Sequence, residues 1–512
     1  MKTDTNQEIK LCLKARFPLI WVVSPEERLV EESLAAIAQD TKSQIYFWDY
    51  SRGWQHDPEN SDKGNPMSAL GKVGIFDKNQ SCLVVFKDIA NLIKTGGGNY
   101  QPQQLAIVRE LKNLCKELEG KRVTLVLITS TLQIPTEITQ ETAVVEFGYP
   151  GISEIYELIT GLVPASKLKL RDEPLDQLVR SCQGLSRAKI VQVLRKCLTK
   201  NKVDQDAIAL MIAQKHETVK QTGILEFLQP NIHINNIGGL DNLKYWIQVR
   251  RDAFGQQARE YGLPQPKGLF LFGIPGTGKS LVAKAIAGYF NLPLLRLDIG
   301  RLFSGLVGES EAKTREMISL VEAIAPCCLL LDEFEKAFSN SGGDGGTSSR
   351  VLGTLLTWMQ EKTSPVFIIA TANRIENLPP ESLRKGRYDE LFFLDLPTQR
   401  ERARIFYVHL SKVRPQSEIA KFDCNLLAEK ALDFSGAEIE QCVIDAMYQG
   451  FSEGREFEQG DVLGAIASTV PLASVAQHQI KALHNWAVSN GVKSASLNNN
   501  DWQKMLENAL RK

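Results

Sequence analysis

The chain has 512 residues, 43% hydrophobic and 23% charged, which is ordinary for a soluble globular protein and sufficient for about three or four domains. Lysine and arginine total 60, as do aspartate and glutamate, so neither nucleic acid nor an anionic membrane is expected as the main partner. The sequence lacks the pattern of a signal peptide and any apolar run near the ~20 residues that span a bilayer, and no Cys-x-x-Cys pair occurs, which favours reduced thiols in a cytosol-like compartment.

Segments of alternating character follow one another along the chain. Residues 1–150 are predicted to form an α/β domain, with strands at PLIWVV, QIYFWDY, SCLVVF and VTLVLIT. Residues 151–234 are expected to form a helical, lid-like segment and a linker. A second α/β domain is predicted at 235–397 and a second helical region at 398–475. A C-terminal helical extension is expected at 476–512.

This order of segments suggests a duplication. LVRSCQGLSRAKIVQV, which begins at Leu178, aligns without a gap with LAEKALDFSGAEIEQC, which begins at Leu427. Two further pairs of similar segments lie at about the same separation, roughly 245 residues, as tandem domains would. The alternative is an unrelated α/β domain, because apolar strands look alike in many folds.

If the duplication is real, the first copy has lost its phosphate chemistry. It carries VSPEER where the second copy has GTGKS, so Glu26 and Glu27 would repel a triphosphate. Phe86 and Lys87 stand where the second copy has two acidic residues. The first half would then be a pseudo-ATPase that serves as a platform.

The segment GIPGTGKS lies between a β-prone apolar stretch and a stretch with helical spacing. It fits the phosphate-loop (Walker A) pattern, in which the free N–H groups of a helix N-terminus attract phosphate. Lys279 is expected to contact the β- and γ-phosphates, and Ser280 to offer its hydroxyl to Mg²⁺. The predicted nucleotide-binding residues here are Gly273, Ile274, Pro275, Gly276, Thr277, Gly278, Lys279, Ser280 and Leu281.

Two further strand ends carry candidate catalytic groups. CCLLLDEF is a Walker B pattern, in which Asp332 would hold Mg²⁺ and Glu333 would polarise the attacking water. The strand VFIIATANR ends in Asn373, whose amide could hydrogen-bond the γ-phosphate and the water. Arg384 and Arg387 in LRKGRYDE are candidate arginine fingers for a neighbouring subunit's γ-phosphate, the alternative being two solvated arginines at a turn.

These motifs occur in the order found in ATPases of the AAA clade, together with INNIGGLDNLKYWI, GLVGESEAKTREMI and DFSGAEIEQCV, and residues 235–475 resemble one such module. PLASVAQHQIKALHNWA and the degenerate first half are also similar to the uncharacterised AAA-domain proteins of cyanobacteria and algal plastids, known as a hypothetical chloroplast open reading frame.

The resemblance implies an α/β fold: a P-loop NTPase (AAA+) core with a five-stranded parallel sheet and a helical lid, preceded by a degenerate AAA-like half. It implies ATP and Mg²⁺ as cofactors, and a ring, usually a hexamer, with ATP between subunits. It assigns adenine contacts to Ile237, Gly238 and Gly436–Ala437 of the lid, and it makes Arg384 and Arg387 the pair that acts in trans. The implied location is the cytoplasm, or the plastid stroma for a plastid-encoded chain.

The sequence departs from the family pattern at GLVGES. Leu306 and Val307 occupy the expected substrate-gripping pore loop, where unfoldases of the clade usually place an aromatic residue before Val-Gly. Leu306 lacks a flat face to wedge between side chains, so weaker threading is expected, unless Leu306 grips adequately. The segment 339–350 is interpreted as a mobile linker rather than a specific second pore loop. Asn236 stands where an Asp is common.

Two functions are therefore compared. The first is an ATP-hydrolysing protein that couples turnover in an oligomeric ring to remodelling or regulation of an unidentified protein partner. The alternative is a slow-turnover, nucleotide-gated scaffold whose pseudo-ATPase half presents a partner. A DNA-acting ATPase is disfavoured by the neutral charge.

Overall fold

The structure, a computed structural model, describes residues 5–55, 62–74, 81–87, 89–93, 101–130, 132, 134–200, 202–230, 232–303, 309–339, 347–384 and 386–497. The chain divides into two compact units, one of Met1–Ile208 with Leu306–Ala312 and the other of Ala209–Gly305 with Lys313–Lys512. Leu306, Val307, part of the segment 339–350 and the helix expected near Trp502 lie outside the described residues, so predictions for them stay predictions.

The first unit is built on a sheet of β1 (Leu19–Val23), β2 (Gln44–Asp49), β3 (Gly53–Trp54), β4 (Cys82–Lys87), β5 (Val123–Thr129) and β6 (Thr142–Glu146). Its order is β3-β2-β4-β5-β1-β6, and every pair is parallel except β2 with the short β3. The central strands β1, β4 and β5 are buried along almost their whole length, as parallel strands covered on both faces are.

The helices of the first unit are α1 (Thr5–Lys14), α2 (Glu27–Asp40), α3 (Pro66–Val73), α4 (Ile89–Leu92), α5 (Pro102–Leu118), α6 (Ile152–Leu162), α7 (Glu173–Cys182) and α8 (Arg187–Thr199). Side chains of β1 alternate between two cores. Trp21 packs with α3 and α5 on one face of the sheet, and Ile20 packs with α1 and α2 on the other. A further helix, α9 (Gln205–Gln221), crosses the point where the two units divide.

The sheet of the second unit contains β7 (Leu225–Leu228), β8 (Gly268–Gly273), β9 (Leu294–Leu297), β10 (Cys327–Leu331), β11 (Val366–Ala372), β12 (Glu390–Leu394) and β13 (Lys493–Ser494). Its order is β13-β12-β8-β11-β10-β9-β7. The five strands from β12 to β9 are the parallel sheet that the family resemblance implies. The edge strands were not predicted: β7 pairs antiparallel with β9, and β13 pairs parallel with β12.

The helices of the second unit are α10 (Asp241–Val249), α11 (Gln256–Glu260), α12 (Lys279–Tyr289), α13 (Ile299–Phe303), α14 (Glu309–Ile324), α15 (Lys336–Ser339), α16 (Thr347–Glu361), α17 (Gln399–Val413), α18 (Gln416–Ile419), α19 (Cys424–Lys430), α20 (Gly436–Ser452), α21 (Gln459–Ser468), α22 (Leu472–Val475) and α23 (Gln477–Ser489). Helices α17 to α21 form the lid. They enclose a core of their own that includes Phe406, Leu427 and Ile439. Both α17 and α20 begin with a capping box, which defines their first residues.

The two units share a strand order. When the five main parallel strands of each sheet are numbered along the chain, leaving out the two-residue β13, both sheets have the order 5-1-4-3-2, as β6-β1-β5-β4-β2 and as β12-β8-β11-β10-β9. In both, the first strand leads directly into a helix, α2 or α12. This repetition supports the predicted duplication, because an unrelated α/β domain would have no reason to repeat the same order.

Candidate nucleotide-binding site

The loop 274–278 joins the buried strand β8 to α12, as the phosphate-loop pattern requires. Gly276 and Gly278 have φ angles of 80° and 87°, a conformation that costs little only for glycine. The first N–H groups of a helix have no partner within it, and its N-terminal end carries partial positive charge. The loop and the start of α12 can therefore surround an anion.

Lys279 is buried beneath this loop. Its Nζ donates hydrogen bonds to the carbonyl oxygens of Gly273 and Ile274, each at 2.9 Å. Burial lowers the pKa of Lys279 to about 8, against the attraction of three nearby carboxylates, of which Glu335 has the largest effect. A bound phosphate would favour the charged ammonium.

Asp332 follows β10 directly and is held by two hydroxyl groups. Ser280 Oγ donates to Asp332 Oδ1 at 2.9 Å, and Thr371 Oγ1 donates to the same oxygen at 2.6 Å. Thr371 also accepts the backbone N–H of Glu333 at 3.0 Å. Sequence reasoning missed Thr371, although the alternation of β11 places it on the same side of the strand as Asn373.

The oxygen donors fit a magnesium ion. A serine hydroxyl and a carboxylate 2.9 Å apart are hard ligands of the kind that Mg²⁺ prefers. Within the described ranges, no group of three or more His, Cys, Asp or Glu residues could hold a metal ion by itself. A magnesium ion here would have Ser280 and Asp332 as protein ligands, with phosphate oxygens and water completing its coordination.

Glu333 adopts a conformation that is rare for a residue with a side chain. Its φ is 52°, in the left-handed region, and strain of this kind is concentrated at functional sites. Its Oε1 lies 3.5 Å from Asn373 Nδ2, and its other oxygen forms an ion pair with Lys336. The N–H of Asn373 donates to Glu335 at 2.9 Å. These contacts place the Glu333 carboxylate beside the Asn373 amide.

These groups line one cavity of about 480 Å³ between the end of the sheet and the lid. The predicted site residues that line it are Ile237, Gly238, Pro275, Gly276, Thr277, Gly278, Lys279, Ser280, Leu281, Asp332, Glu333, Asn373, Gly436 and Ala437. Gly273 and Ile274 contribute through the carbonyl groups that hold Lys279.

The lid is seated on the phosphate loop. The N–H of Ala437 donates to the carbonyl oxygen of Gly276 at 3.1 Å, at the start of α20. A Cβ at Gly276 would stand 2.8 Å from Ser435 Oγ, so glycine is also required here for close approach. Ala437 therefore contacts the phosphate loop, and the adenine contact predicted for Gly436–Ala437 stays a prediction.

Other lining residues come from parts of the chain without a motif. His409 of α17 lies 3.2 Å from Glu440 of α20, and burial lowers the pKa of His409, which favours its neutral form at pH 7. Ser496, close to the C-terminal end of the described chain, also lines the cavity. Sequence reasoning had no signal for these residues, because each is distant from the motifs in the chain.

Arg384 and Arg387 are not among the residues that line this cavity. Arg384 is exposed and lines a different cavity, of about 1140 Å³, together with Val249 and Leu263. Nε and Nη1 of Arg387 are buried and have no hydrogen-bond partner among the described residues. The two arginines are therefore separate from the site of their own chain.

The first unit has a shorter loop at the equivalent place, residues 24–26 between β1 and α2. Glu26 at this loop accepts the N–H of Ala188 at 2.8 Å and lies 3.3 Å from the guanidinium of Arg187. Ala188 aligns with Ala437 of the second copy. The Glu26 carboxylate therefore accepts the N–H that corresponds to the one accepted by the carbonyl of Gly276 in the second unit. Arg187 also donates to the carbonyl of Gly148 at 3.0 Å.

The charges at the strand end are reversed as well. Lys87, at the end of β4, is almost buried and forms ion pairs with Glu31 and Glu27 of α2, the latter at 3.7 Å. In the second unit the cation, Lys279, belongs to the helix and the carboxylate, Asp332, follows the strand. The predicted loss of phosphate chemistry thus coincides with an internal network of ion pairs.

The strand order, the phosphate loop and the lid define a P-loop NTPase fold of the AAA+ class. Residues 269–396 match the family model "ATPase family associated with various cellular activities (AAA)". Residues 5–147 and 153–222 match the N-terminal and second domains of a SpoVK-like AAA ATPase. The chain therefore belongs to the AAA family of ATPases, and both the predicted resemblance and the predicted fold class are confirmed.

Similar proteins cover nearly the whole chain. It is 42% identical over 496 residues to the "Uncharacterized AAA domain-containing protein ycf46" of Guillardia theta, covering 96% of each chain. It is 43% identical over 497 residues to the protein of the same name from Trieres chinensis, covering 96% of this chain and 98% of the relative. The "Cell division cycle protein 48 homolog" of Archaeoglobus fulgidus is 28% identical over 376 residues, which are 65% of this chain and 50% of that one. In the part of the chain that the structure describes, no helix is long and apolar enough to cross a membrane.

Proposed function

We propose that this protein binds ATP with Mg²⁺ and hydrolyses it to ADP and phosphate. The observation that carries the proposal is the convergence of Lys279, Asp332 and Glu333, from two separate segments of the chain, on one cavity beneath a lid. Family membership supports nucleotide binding and ATPase activity in general. The proposal extends both to this chain.

Each group in the cavity has a role that its surroundings support. Lys279 and the N–H groups at the start of α12 hold the β- and γ-phosphates. Ser280 and Asp332 hold Mg²⁺, which when bound neutralises phosphate charge. Glu333 orients and polarises the attacking water, and Asn373 positions it through an amide that adds no charge. Ile237, Gly238 and Gly436–Ala437 contact the adenosine end.

Hydrolysis is completed in a ring, by Arg384 and Arg387 of a neighbouring subunit. Their separation from their own cavity, and the exposure of Arg384, support this arrangement. Two different exposed apolar surfaces could meet between subunits: Tyr245, Val249 and Tyr261 on one side, and Ile444, Tyr448 and Phe451 along one face of α20 on the other. Contacts between unlike surfaces generate rings when the rotation closes. Six subunits and a location in the cytoplasm or plastid stroma rest on the family resemblance alone.

The ATPase proposal is tested with two variants of the full chain. Glu333→Gln should retain binding of a fluorescent ATP analogue and lose phosphate release, because the water is no longer activated. Lys279→Ala should lose both, and chelation of magnesium should abolish release by the wild type. If Glu333→Gln releases phosphate at the wild-type rate, the role of Glu333 is wrong.

The first unit favours a second candidate function, that of a slow-turnover, nucleotide-gated scaffold. Glu26 and Lys87, each engaged in ion pairs, support a first half that binds no nucleotide and presents a partner protein instead. Under this alternative, a captured partner would bind Glu333→Gln as it binds the wild type. If the protein is a remodelling ATPase, Glu333→Gln should instead retain the partner that the wild type releases, because release depends on hydrolysis. The pore-loop roles of Leu306 and Val307 belong to the remodelling proposal.

A further inference from the structure

The last described residues return to the nucleotide cavity. After α23, the short strand β13 pairs with β12, with Lys493 opposite Phe392 and Ser494 opposite Phe393. The N–H of Ala495 then donates to the carbonyl of Phe393 at 2.9 Å. The next residue, Ser496, is largely buried and lines the cavity.

The backbone around Ser496 is held from the opposite side by the start of α10. Asn242 Nδ2 donates to the carbonyl oxygens of Ser494 and Ser496, at 3.1 and 2.9 Å. The N–H of Leu243 donates to the carbonyl of Ala495 at 3.2 Å, and Ala495 is fully buried in the core. The position of Ser496 is therefore determined by two separate elements.

Helix α23 holds this segment against the sheet. The ring of Trp486 meets that of Phe272 edge to face, with centroids 5.2 Å apart. His484 Nε2 lies 3.0 Å from Asp395 Oδ1, and Asp395 also lines the cavity. Residues 477–497, here called the covering segment, are thus held against the sheet, and Ser496 of this segment lines the cavity.

The Asn242 hydrogen bond links Ser496 to the end of the cavity that is proposed to hold adenosine. The carbonyl of Ser496 is bound by Asn242, which is two residues from Leu240, and Leu240 lines the cavity beside Ile237 and Gly238. Ile237 and Gly238 are among the residues proposed to contact adenine. Asn236 adds an amide to the same lining. The base end thus combines apolar walls with a serine hydroxyl and an amide, which can accept from or donate to the edge of a purine.

We propose that the covering segment completes the base end of the nucleotide site, and that Ser496 is a binding residue that contributes to the preference for adenine over guanine nucleotides. Asn242 is the positioning residue that holds Ser496 in place. The inference rests on the proposed binding of ATP, and it adds a contact from a part of the chain that carries no nucleotide-binding motif.

The experiment compares two serine-to-tryptophan variants of the full chain. Ser496→Trp should fill the base end and weaken binding of a fluorescent ATP analogue by about tenfold or more. Ser489→Trp places the same ring at an exposed position at the end of α23 and should leave affinity and melting temperature unchanged. Equal affinities of the Ser496→Trp variant and the wild type overturn the inference.

A smaller change separates binding from folding. Ser496→Ala and Asn242→Ala should each lower the ratio of ATP to GTP affinity, measured by competition between the two nucleotides. A purely structural role would weaken both nucleotides equally and so contradicts the proposal. If the wild type binds neither nucleotide, the proposed function itself fails. If it binds ATP and the ratio does not move in either variant, only the inference about Ser496 fails.

Discussion

At the scale of single residues, one carboxylate oxygen organises the catalytic end of the cavity. Asp332 Oδ1 accepts hydrogen bonds from Ser280 and Thr371, and Thr371 also accepts the N–H of the strained Glu333. Thr371 therefore links the proposed magnesium ligand to the proposed water-activating residue. Partners of this kind orient ligands without touching the metal themselves.

Thr371→Val should expose this role, because it keeps the shape of the side chain and removes its hydroxyl. We expect phosphate release to fall by roughly 10–100-fold, with a higher magnesium concentration needed for half-maximal activity. Thr371→Ser keeps the hydroxyl and should retain most activity. Steady-state rates across a magnesium titration measure both variants, and equal activity of the valine and serine variants would contradict the role.

At the scale of elements, the N-termini of two corresponding helices are bound differently. A side chain binds the N-terminus of α8 in the first unit, whereas the phosphate loop binds the N-terminus of α20 in the second. Glu26 accepts the N–H of Ala188 and pairs with Arg187, whose guanidinium also pairs with Glu154. Both Glu26 and Arg187 are mostly buried, so the pair is shielded from solvent. We infer that this network joins the helical part of the first unit to its sheet.

Glu26→Ala should destabilise the first unit, because it leaves an N–H and part of a guanidinium group without their acceptor. The expected loss in free energy of unfolding is about 1–3 kcal/mol. Denaturant unfolding of Glu26→Ala, Arg187→Ala and the double variant gives their coupling, which we expect to be about 0.5–3 kcal/mol. ATP hydrolysis by the second unit serves as the control and should be unchanged. A coupling of zero would show that the pair contributes nothing.

Much of the second unit could be predicted from sequence because its motifs combine chemistry with spacing. The glycines, Lys279 and Asp332 occur beside apolar strands, and a parallel sheet brings the ends of such strands together. The edge strand β13 could not be predicted, since two residues carry no periodicity and hydrogen bonds to β12 determine its conformation. Ser496 was missed for the same reason. Thr371 could have been found from its alternation with Asn373. The catalytic and binding roles of Lys279, Asp332, Thr371 and Ser496 stay predictions.

At the scale of the whole molecule, the proposed ring makes the activity of each site depend on a neighbour. Arg387→Ala should bind the ATP analogue normally and lose roughly 10³–10⁵ in turnover, the range measured for such fingers. Mixing this variant with Lys279→Ala should restore part of the activity, because intact arginines then face intact phosphate loops. Phosphate release from mixtures of varied ratio measures the effect. Absence of any recovery, with mixed assemblies verified by mass, would contradict action in trans.

The contacts of Glu26 in the first unit's loop have a consequence for how a bound partner would be moved. If the first unit binds no nucleotide, as the scaffold proposal holds, it passes through no cycle of nucleotide binding and release. Each subunit would then combine one part that alternates between shapes with one that keeps a constant shape. A partner bound to the constant part would be moved without a change in its binding surface. The assembly would contain one ATP-hydrolysing site per chain and not two.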